Sequence, residues 1–450
     1  MQFNVPENIQ TVLDKLRSAG YRALPVGGCV RDLLRGMQPH DWDITTSATP
    51  EEMLELFKDF RLAPVSSGGI KHGTVTVILD HEPVEVTTFR CDGEYSDGRR
   101  PDSVGFSRNL EDDLSRRDFT VNALCIDENG EVVDMFGGCN DLKNGIIRAI
   151  GDPDRRFTED ALRILRALRF SAAFGFEIEE STSESMLRNF DRLQLLARER
   201  IGAELVKLIC APHFLATALK YKRLLCMALP ELGPMAGMYQ REDYHCYDVY
   251  EHTVRAVDAA PADPVLRWTM LLHDIGKPAC CDGQGHFHRH ESVGVPIAEE
   301  ILKRFNCGRA QREQILTLIA KHCVPLSRER MKMKKQLAKY GETTVLQLIE
   351  VKRADCIAQR PEIAAARLAE LDKIKAAADA VISEKPALTL SQLAVSGKDL
   401  MEAGFEPSPQ MGGMLKHLLE LVVNEKLPNE RQKLLEYARQ NRQIDTYNIG

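Results

Sequence analysis

Two carboxylates separated by one residue, in Asp41-Trp42-Asp43-Ile44-Thr45, are the first residues whose spacing suggests chemistry. At i and i+2 of a strand they point to one face, with Trp42 and Ile44 turned to the core, and hard oxygen donors of this kind hold Mg2+. Two such ions, about 3.5–4 Å apart, neutralise charge and align the attacking and leaving oxygens of a phosphoryl transfer. The spacing therefore predicts a Mg2+-assisted phosphoryl-transfer site. Taken alone, Asp-x-Asp is more often a polar strand face. Glu85, in Val84-Glu85-Val86-Thr87, is positioned to complete a triad, either as a metal ligand or as the base that activates an attacking hydroxyl. An exposed strand glutamate has the same pattern.

Three further groups of residues bear on the same chemistry. Gly27-Gly28 follows the short apolar run Ala23-Leu24-Pro25-Val26 and precedes a helix from near Val30, an order of strand, glycine turn and helix. Such a turn lets a backbone approach a triphosphate closely, and Arg31 adds a charged fork. In the segment from Glu159 to Arg169, polar groups recur every third residue, as Asp160, Arg163, Arg166 and Arg169. The pattern predicts either an amphipathic helix with an Asp160–Arg163 ion pair or a reader of bases. A carboxylate accepts and a guanidinium donates, which matches the amino donor beside a ring-nitrogen acceptor in cytosine and adenine. Uracil and guanine present the reverse order and would leave buried partners unpaired. Finally, His252, His273-Asp274, His290, His322 and Asp355 lie on mostly helical segments and are of types that suit a transition metal. His286 and His288 share the Gly-rich stretch of His290, so the choice among the three stays open.

The elements that must position these residues are legible in outline. Residues 5–19 read as an amphipathic helix, and Thr49-Pro50-Glu51-Glu52 starts another that runs to about Phe57. Thr74 to Leu79 with Pro83 to Arg90, and Leu124 to Asp127 with Glu131 to Asp134, read as hairpins. Between them, Cys91 to Asn109 is long for a passive connection. From Phe157 onward the pattern is helical. The prediction is a multidomain α+β chain: a mixed-sheet head over 1–150, an all-α neck over 151–240, a helical body over 241–360 and a helical tail over 361–450.

Composition sets the outer limits. In 450 residues, 44% are hydrophobic and 28% charged, which predicts folded domains and not general disorder. A formal net charge of −7 requires that any nucleic-acid contact come from local patches, such as Arg328, Arg330, Lys332, Lys334, Lys335 and Lys339, which read equally as a solvated helix face. Met1 to Glu7 lack the basic stretch and apolar run of a signal peptide, and no run approaches ~18 apolar residues. Twelve scattered cysteines read as reduced thiols. The expectation is a cytoplasmic chain with no membrane partner and no obligate protein partner.

Taken together, Gly27-Gly28-Cys29-Val30-Arg31-Asp32-Leu33-Leu34 followed by Asp41-Trp42-Asp43-Ile44-Thr45 resembles the signature of class II tRNA CCA-adding enzymes and bacterial poly(A) polymerases. The resemblance implies a nucleotidyltransferase head in which Gly28 and Arg31 bind the nucleotide and Asp41 and Asp43 bind magnesium. Arg116-Arg117-Asp118-Phe119-Thr120-Val121-Asn122-Ala123 is similar to the family segment that contacts ribose and triphosphate, with Arg117 the implied nucleotide contact. Asp160 and Arg163 match the family's base-reading pair, and Arg166 and Arg169 match further nucleotide contacts. Arg198 to Leu205 resembles the block that braces the reading helix, and Asp92 to Pro101 resembles the family's flexible loop. Leu271-Leu272-His273-Asp274-Ile275-Gly276-Lys277-Pro278 is similar to the HD phosphohydrolase signature, which implies a metal at the six residues named above and activity on phosphate esters. The resemblance thus implies addition of CCA to tRNA from CTP and ATP. Poly(A) addition and partial CC or A addition are its close rivals, and an HD phosphohydrolase with a regulatory nucleotide-binding head is the rival of another class.

Overall fold

The computed structural model describes residues 3–63, 73–79, 81–92, 104–240, 246–282 and 286–441. Most of the loop from Asp92 to Pro101 therefore lies outside the described residues. The chain divides into two units, Met1–Ala228 and Leu229–Gly450.

In the first unit, α1 (Glu7–Ser18) carries Ile9, Val12, Leu13 and Leu16 at helical spacing, and all four are buried against a mixed sheet. Its strands are β1 (Ala23–Pro25), β2 (Asp43–Thr46), β3 (Arg61–Leu62), β4 (Thr74–Leu79) and β5 (Glu82–Thr88), in the order β1-β2-β5-β4-β3. β4 and β5 form an antiparallel pair, whereas β2 runs parallel to β5 with Asp43 opposite Glu85. Two helices flank β2: α2 (Gly28–Leu34) and α3 (Pro50–Leu56), the latter started by a Thr49–Glu52 capping box with Pro50 at its first position.

The unit continues through β6 (Arg90–Asp92), β7 (Val104–Phe106), α4 (Leu110–Ser115), the hairpin β8 (Leu124–Ile126) and β9 (Val132–Asp134), α5 (Gly138–Asn144) and β10 (Ile146–Ile147). It ends in helices: α6 (Pro153–Glu159), α7 (Leu162–Phe174), α8 (Glu180–Asn189), α9 (Arg198–Ile209), α10 (Phe214–Lys220) and α11 (Lys222–Ala228). A short strand, β11 (Glu177–Ile178), interrupts the region expected to be all-α and pairs in parallel with β10. Gly175, in the left-handed region, ends α7 and frees the extended segment that follows.

Two further expectations are corrected here. Asp41 is not in β2, which begins at Asp43. Beyond Asp43 the ladder has no partners: β1 has ended and turned at Gly27, and the residue that would face Asp41 on β5 is Pro83, which has no N–H. The helix expected through 159–169 breaks at Asp160, which is extended (φ −144°, ψ 102°) and accepts the Leu162 N–H through its own carboxylate at 3.0 Å. An aspartate able to cap the next turn competes with continuation of the helix.

The second unit contains α12 (Val249–Ala259), α13 (Pro264–Leu272), α14 (Lys277–Cys280), α15 (His290–Arg304), α16 (Arg309–Lys321), α17 (Arg330–Tyr340), α18 (Glu342–Ile357), α19 (Pro361–Ser383), α20 (Gly397–Glu402), α21 (Pro409–Val423) and α22 (Arg431–Gln440). α12 packs on α13 and α18, and α13 on α16. Leu400, Leu418 and Leu434 centre a separate apolar cluster in the tail. The basic run from Arg328 to Lys339 is largely consumed by ion pairs: Arg328 with Glu370, Arg330 with Glu384 and Glu425, Lys332 with Glu329, and buried Lys334 with Glu425. Among the described residues, no single helix is long and apolar enough to cross a membrane.

Candidate functional site

Asp43 and Glu85 are neighbours across the parallel ladder, and Asp41 stands two residues ahead of Asp43 at the mouth of β2. The three carboxylates line a cavity of about 680 Å³ with Asn8, Gln38 and His40. Burial, then the charges of Asp43 and Asp41, pushes the Glu85 carboxyl up. Burial also raises Asp43, Arg117 opposes the rise, and Asp41 adds to it. Mutual repulsion in an all-oxygen donor set is relieved by a hard divalent cation, so these residues fit magnesium.

Beside them the glycine turn is shaped by an arginine. Gly27 has φ 81° and ψ −123°, and a Cβ there would stand 2.9 Å from Arg117 Nη1. Only glycine allows both. Buried Asp113 holds the assembly: it accepts from Thr45 Oγ1 at 3.0 Å, from Arg116 Nε at 3.0 Å and from Arg117 Nη2 at 3.3 Å. Arg117, and not Arg116, therefore lies against the turn. Arg31 is committed inward, donating to Asn122 Oδ1 at 2.7 Å, pairing with Asp32 at 2.9 Å and stacking on Phe174 at 4.6 Å. Asn122 in turn donates to Asp118 Oδ1 at 3.0 Å, and Arg166 forks onto Asp118 Oδ2. Burial would raise Asp118, but Arg166 and Asn122 outweigh it and hold the carboxyl at about 2. A continuous chain of charge-assisted bonds thus joins Arg31 to Arg166.

Asp160 and Arg163 do not pair with each other as the helix reading expected. Asp160 Oδ2 accepts from Arg200 on α9 at 3.0 Å. Arg163 donates to Glu159 Oε2 at 2.9 Å, to Arg156 O at 3.1 Å and to Arg116 O at 2.7 Å. Both keep capacity for a ligand, since a carboxylate offers about four acceptor sites and a guanidinium five N–H donors. Arg169 donates to Glu204 Oε2 at 2.6 Å, so α9 clamps the segment from Asp160 to Arg169 through Arg200 and Glu204.

A second cluster lies in the other unit. His252 Nε2 is 3.0 Å from Asp355 Oδ1 and 3.5 Å from Asp274 Oδ2, and His273 Nε2 is 3.1 Å from Asp274 Oδ2. His290 Nε2 is 3.3 Å from Asp274 Oδ1 and 3.1 Å from His322 Nε2. His290 alone of its stretch joins the cluster, because His286 pairs with Asp282 and stacks on His288. Gly276 makes room: a Cβ there would stand 2.2 Å from His290 O. The four histidines place Nδ1 against carbonyls, of Ala358, Met270, Phe287 and Ile319, at 2.7–3.2 Å. A carbonyl only accepts, so Nδ1 carries the hydrogen and the Nε2 lone pairs converge. This donor set fits a transition metal.

Four contributors escaped the sequence reading. Asp113 was given no role, and Arg200 and Glu204 were read only as part of a bracing block. Lys277, 2.6 Å from Asp274 Oδ2 and donating to Gln240, stood within a quoted motif without a role.

Known proteins resemble this chain along its length. Residues 23–148 match the family described as Poly A polymerase head domain, 175–233 the probable RNA and SrmB-binding site of polymerase A, and 293–438 the putative tRNA nucleotidyltransferase domain 2. A CCA-adding enzyme of Lactobacillus helveticus is 35% identical over 430 residues, covering 95% of each chain. One of Levilactobacillus brevis is 36% identical over 432 residues, covering 95% of this chain and 96% of that one. The crystal structure of the Bacillus stearothermophilus CCA-adding enzyme in complex with CTP superimposes with a TM-score of 0.71 at 28% identity, over 97% of this chain and 98% of that one.

Proposed function

The chain belongs to the CCA-adding enzyme family, and from that premise we propose that it adds C, C and A to the 3′ end of tRNA from CTP and ATP without a nucleic-acid template. The observation that carries this proposal is the meeting of Asp41, Asp43 and Glu85 beside the Arg117-backed glycine turn. The three carboxylates are assigned to Mg2+, which when bound neutralises the triphosphate and orients the attacking oxygen. Glu85, raised by burial and its neighbours, is placed either as a ligand or as the acceptor of the 3′-hydroxyl proton.

The remaining roles fall to this chain's own side chains. Gly28 and Arg117 receive phosphate oxygens at the turn. Arg31, through Asn122 and Asp118, sets the position of Arg166. Asp160 and Arg163 select cytosine and adenine by offering an acceptor beside a donor, and Arg169, fixed by Glu204, supports the same wall. Residues 1–150 serve as head and 151–240 as neck, while 241–360 and 361–450 serve as body and tail that hold the acceptor arm. We place the reaction in the cytoplasm, in keeping with cysteines that form no disulfide among the described residues. His252, His273, Asp274, His290, His322 and Asp355 are assigned to a transition metal acting on phosphate esters. Asp274→Ala is expected to abolish that hydrolysis and spare nucleotide addition.

The test uses purified protein with tRNA transcripts ending before CCA, before CA and before A, each supplied with single nucleotides. Addition that stops after CCA is expected, Asp43→Ala should abolish it, and full activity in Glu85→Ala would remove Glu85 from the site. Long A tails would point to poly(A) addition instead.

A further inference from the structure

Asp43 stands between two different surroundings. On one flank β1 ends beside it, with the Val26 N–H donating to Asp43 O at 3.0 Å, and the chain turns at Gly27 against Arg117. On the other flank Glu85 faces it across the parallel ladder. Glu85 and Pro83 line the cavity of about 680 Å³ together with the start of α1 and the segment from Gln38 to His40. Neither Gly28 nor Arg117 belongs to its lining.

The charge of that lining decides what it can take. Among the described residues it contains the carboxylates of Asp41, Asp43, Glu82 and Glu85 and no lysine or arginine. Such a surface repels a triphosphate and admits a part of a substrate that carries no charge of its own. Ile9, Trp42 and Pro83 supply apolar wall, and the volume lies within the ~300–1,000 Å³ typical of small-molecule sites. Three neutral polar side chains complete it. Asn8 is engaged, donating to Glu82 Oε2 at 3.0 Å and accepting the Ile9 N–H at 2.9 Å. Gln38 and His40 are exposed and have no hydrogen-bond partner among the described residues.

We infer that this cavity seats the 3′-terminal nucleoside of the RNA acceptor, and that Gln38 and His40 hydrogen-bond the 2′-hydroxyl of its ribose. The inference rests on the nucleotide-addition reading proposed above. Phosphoryl transfer needs the attacking and leaving oxygens roughly in line through the phosphorus. With pyrophosphate leaving toward Gly28 and Arg117, the attacking oxygen comes from the opposite flank of Asp43, where the cavity lies. There the 3′-oxygen bonds to the α-phosphorus, and the bond from that phosphorus to the oxygen bridging to the β-phosphate breaks. Pyrophosphate departs with that electron pair, and the hydroxyl proton passes to Glu85 or to water. The sugar is the part common to every acceptor: an end lacking CCA closes with the tRNA's own last base, whereas ends lacking CA or A close with C. A contact that serves all three additions therefore falls on the ribose. Its 2′-hydroxyl both donates and accepts, which suits an amide and an imidazole.

The test is steady-state addition of C by the full-length protein to two transcripts ending before CCA, one with a ribose and one with a 2′-deoxyribose at the 3′ terminus. Wild-type protein should prefer the ribose end in kcat/KM for the RNA. Gln38→Ala and His40→Ala, both at exposed positions, should each lower kcat/KM for the ribose end about twofold to tenfold and leave KM for CTP unchanged. The double variant should treat the two ends alike, a loss of discrimination that a merely structural disturbance would not produce. A ribose preference equal in the wild type and the double variant, or absent from the wild type, overturns the contact. A raised KM for CTP with unchanged RNA parameters puts the two residues on the nucleotide side and overturns the assignment of the cavity. Wild-type addition that no variant alters overturns this inference alone, whereas a wild-type protein that extends neither end removes the nucleotide-addition reading with it.

Discussion

Asp160→Ala takes away one side chain that has two structural tasks and one proposed recognition task, and the three can be separated. Losing the acceptor for the Leu162 N–H resembles loss of a helix cap, worth ~1 kcal/mol. The Arg200 pair, 3.0 Å long between side chains 19% and 27% exposed, is partly screened and worth about 0–1 kcal/mol. Together these predict a melting temperature lower by roughly 2–8 °C for a unit of this size. Recognition should change by a different amount. An unpaired buried group costs about 1–3 kcal/mol, so the preference for CTP over UTP should shrink about tenfold to a hundredfold. Single-turnover extension of a transcript ending before CCA, with each nucleotide in turn, measures the ratio directly. Asp160→Asn separates the effects: its amide oxygen can keep the Leu162 cap, but the amide also donates and so accommodates the reversed pattern of uracil. Stability should recover in this variant while selectivity stays poor. A CTP:UTP ratio unchanged in both variants would refute the assignment of base selection to Asp160, whatever happens to total activity.

Gly27→Ala tests the turn. Forcing φ 81° and ψ −123° on an alanine costs about 1–3 kcal/mol, and its Cβ would displace the Arg117 guanidinium 2.9 Å away. A lower melting temperature should accompany at least about a tenfold loss of kcat/KM for CTP; wild-type kinetics in a merely destabilised protein would take Arg117 out of nucleotide binding. Asp118 gives a prediction about pH. Its folded carboxyl titrates at about 2, below the ordinary value near ~3.9, so the stability it contributes is complete above ~pH 4 and lost as pH falls toward about 2. Denaturant titrations between about pH 2 and 4 should show a shallower slope of stability with pH in Asp118→Asn than in the wild type; identical slopes would show that the Arg166 contact does not stabilise the fold.

What could be read from sequence divides along a physical line. Patterns enclosed within one element were legible: the apolar face of α1, the capping box at Thr49, and the β4 and β5 runs all follow from periodicity and local hydrogen bonding. The types of residue at both centres were legible too, because metal and phosphate chemistry admits few side chains. The choice of partner was not. Asp160 had Arg163 three residues away at helical spacing, yet the structure gives Asp160 to Arg200 and Arg163 to Glu159. Once the carboxylate of Asp160 caps the Leu162 N–H, the backbone at 160 leaves the helix, and the pair loses the geometry that the spacing assumed.

Asp113 shows the same rule from the other side. Its place in Glu111-Asp112-Asp113 suits the start of a helix, and only the fold reveals that Thr45, 68 positions earlier, and Arg117 meet on it. Charges at a site settle on whichever neighbours burial leaves within reach, and those neighbours come from several elements. The consequence for the proposed mechanism is specific: Arg31, read as a charged fork for phosphate, and Arg166, matched by resemblance to a nucleotide contact, are bound through Asn122 and Asp118 into one network. A change at Asp118 should therefore disturb both arginines at once, and the effects of Arg31→Ala and Asp118→Asn on nucleotide binding should combine to less than their sum. Strict additivity in a double-mutant cycle would mean that the two arginines act separately and that the bonds joining them have no part in holding the nucleotide.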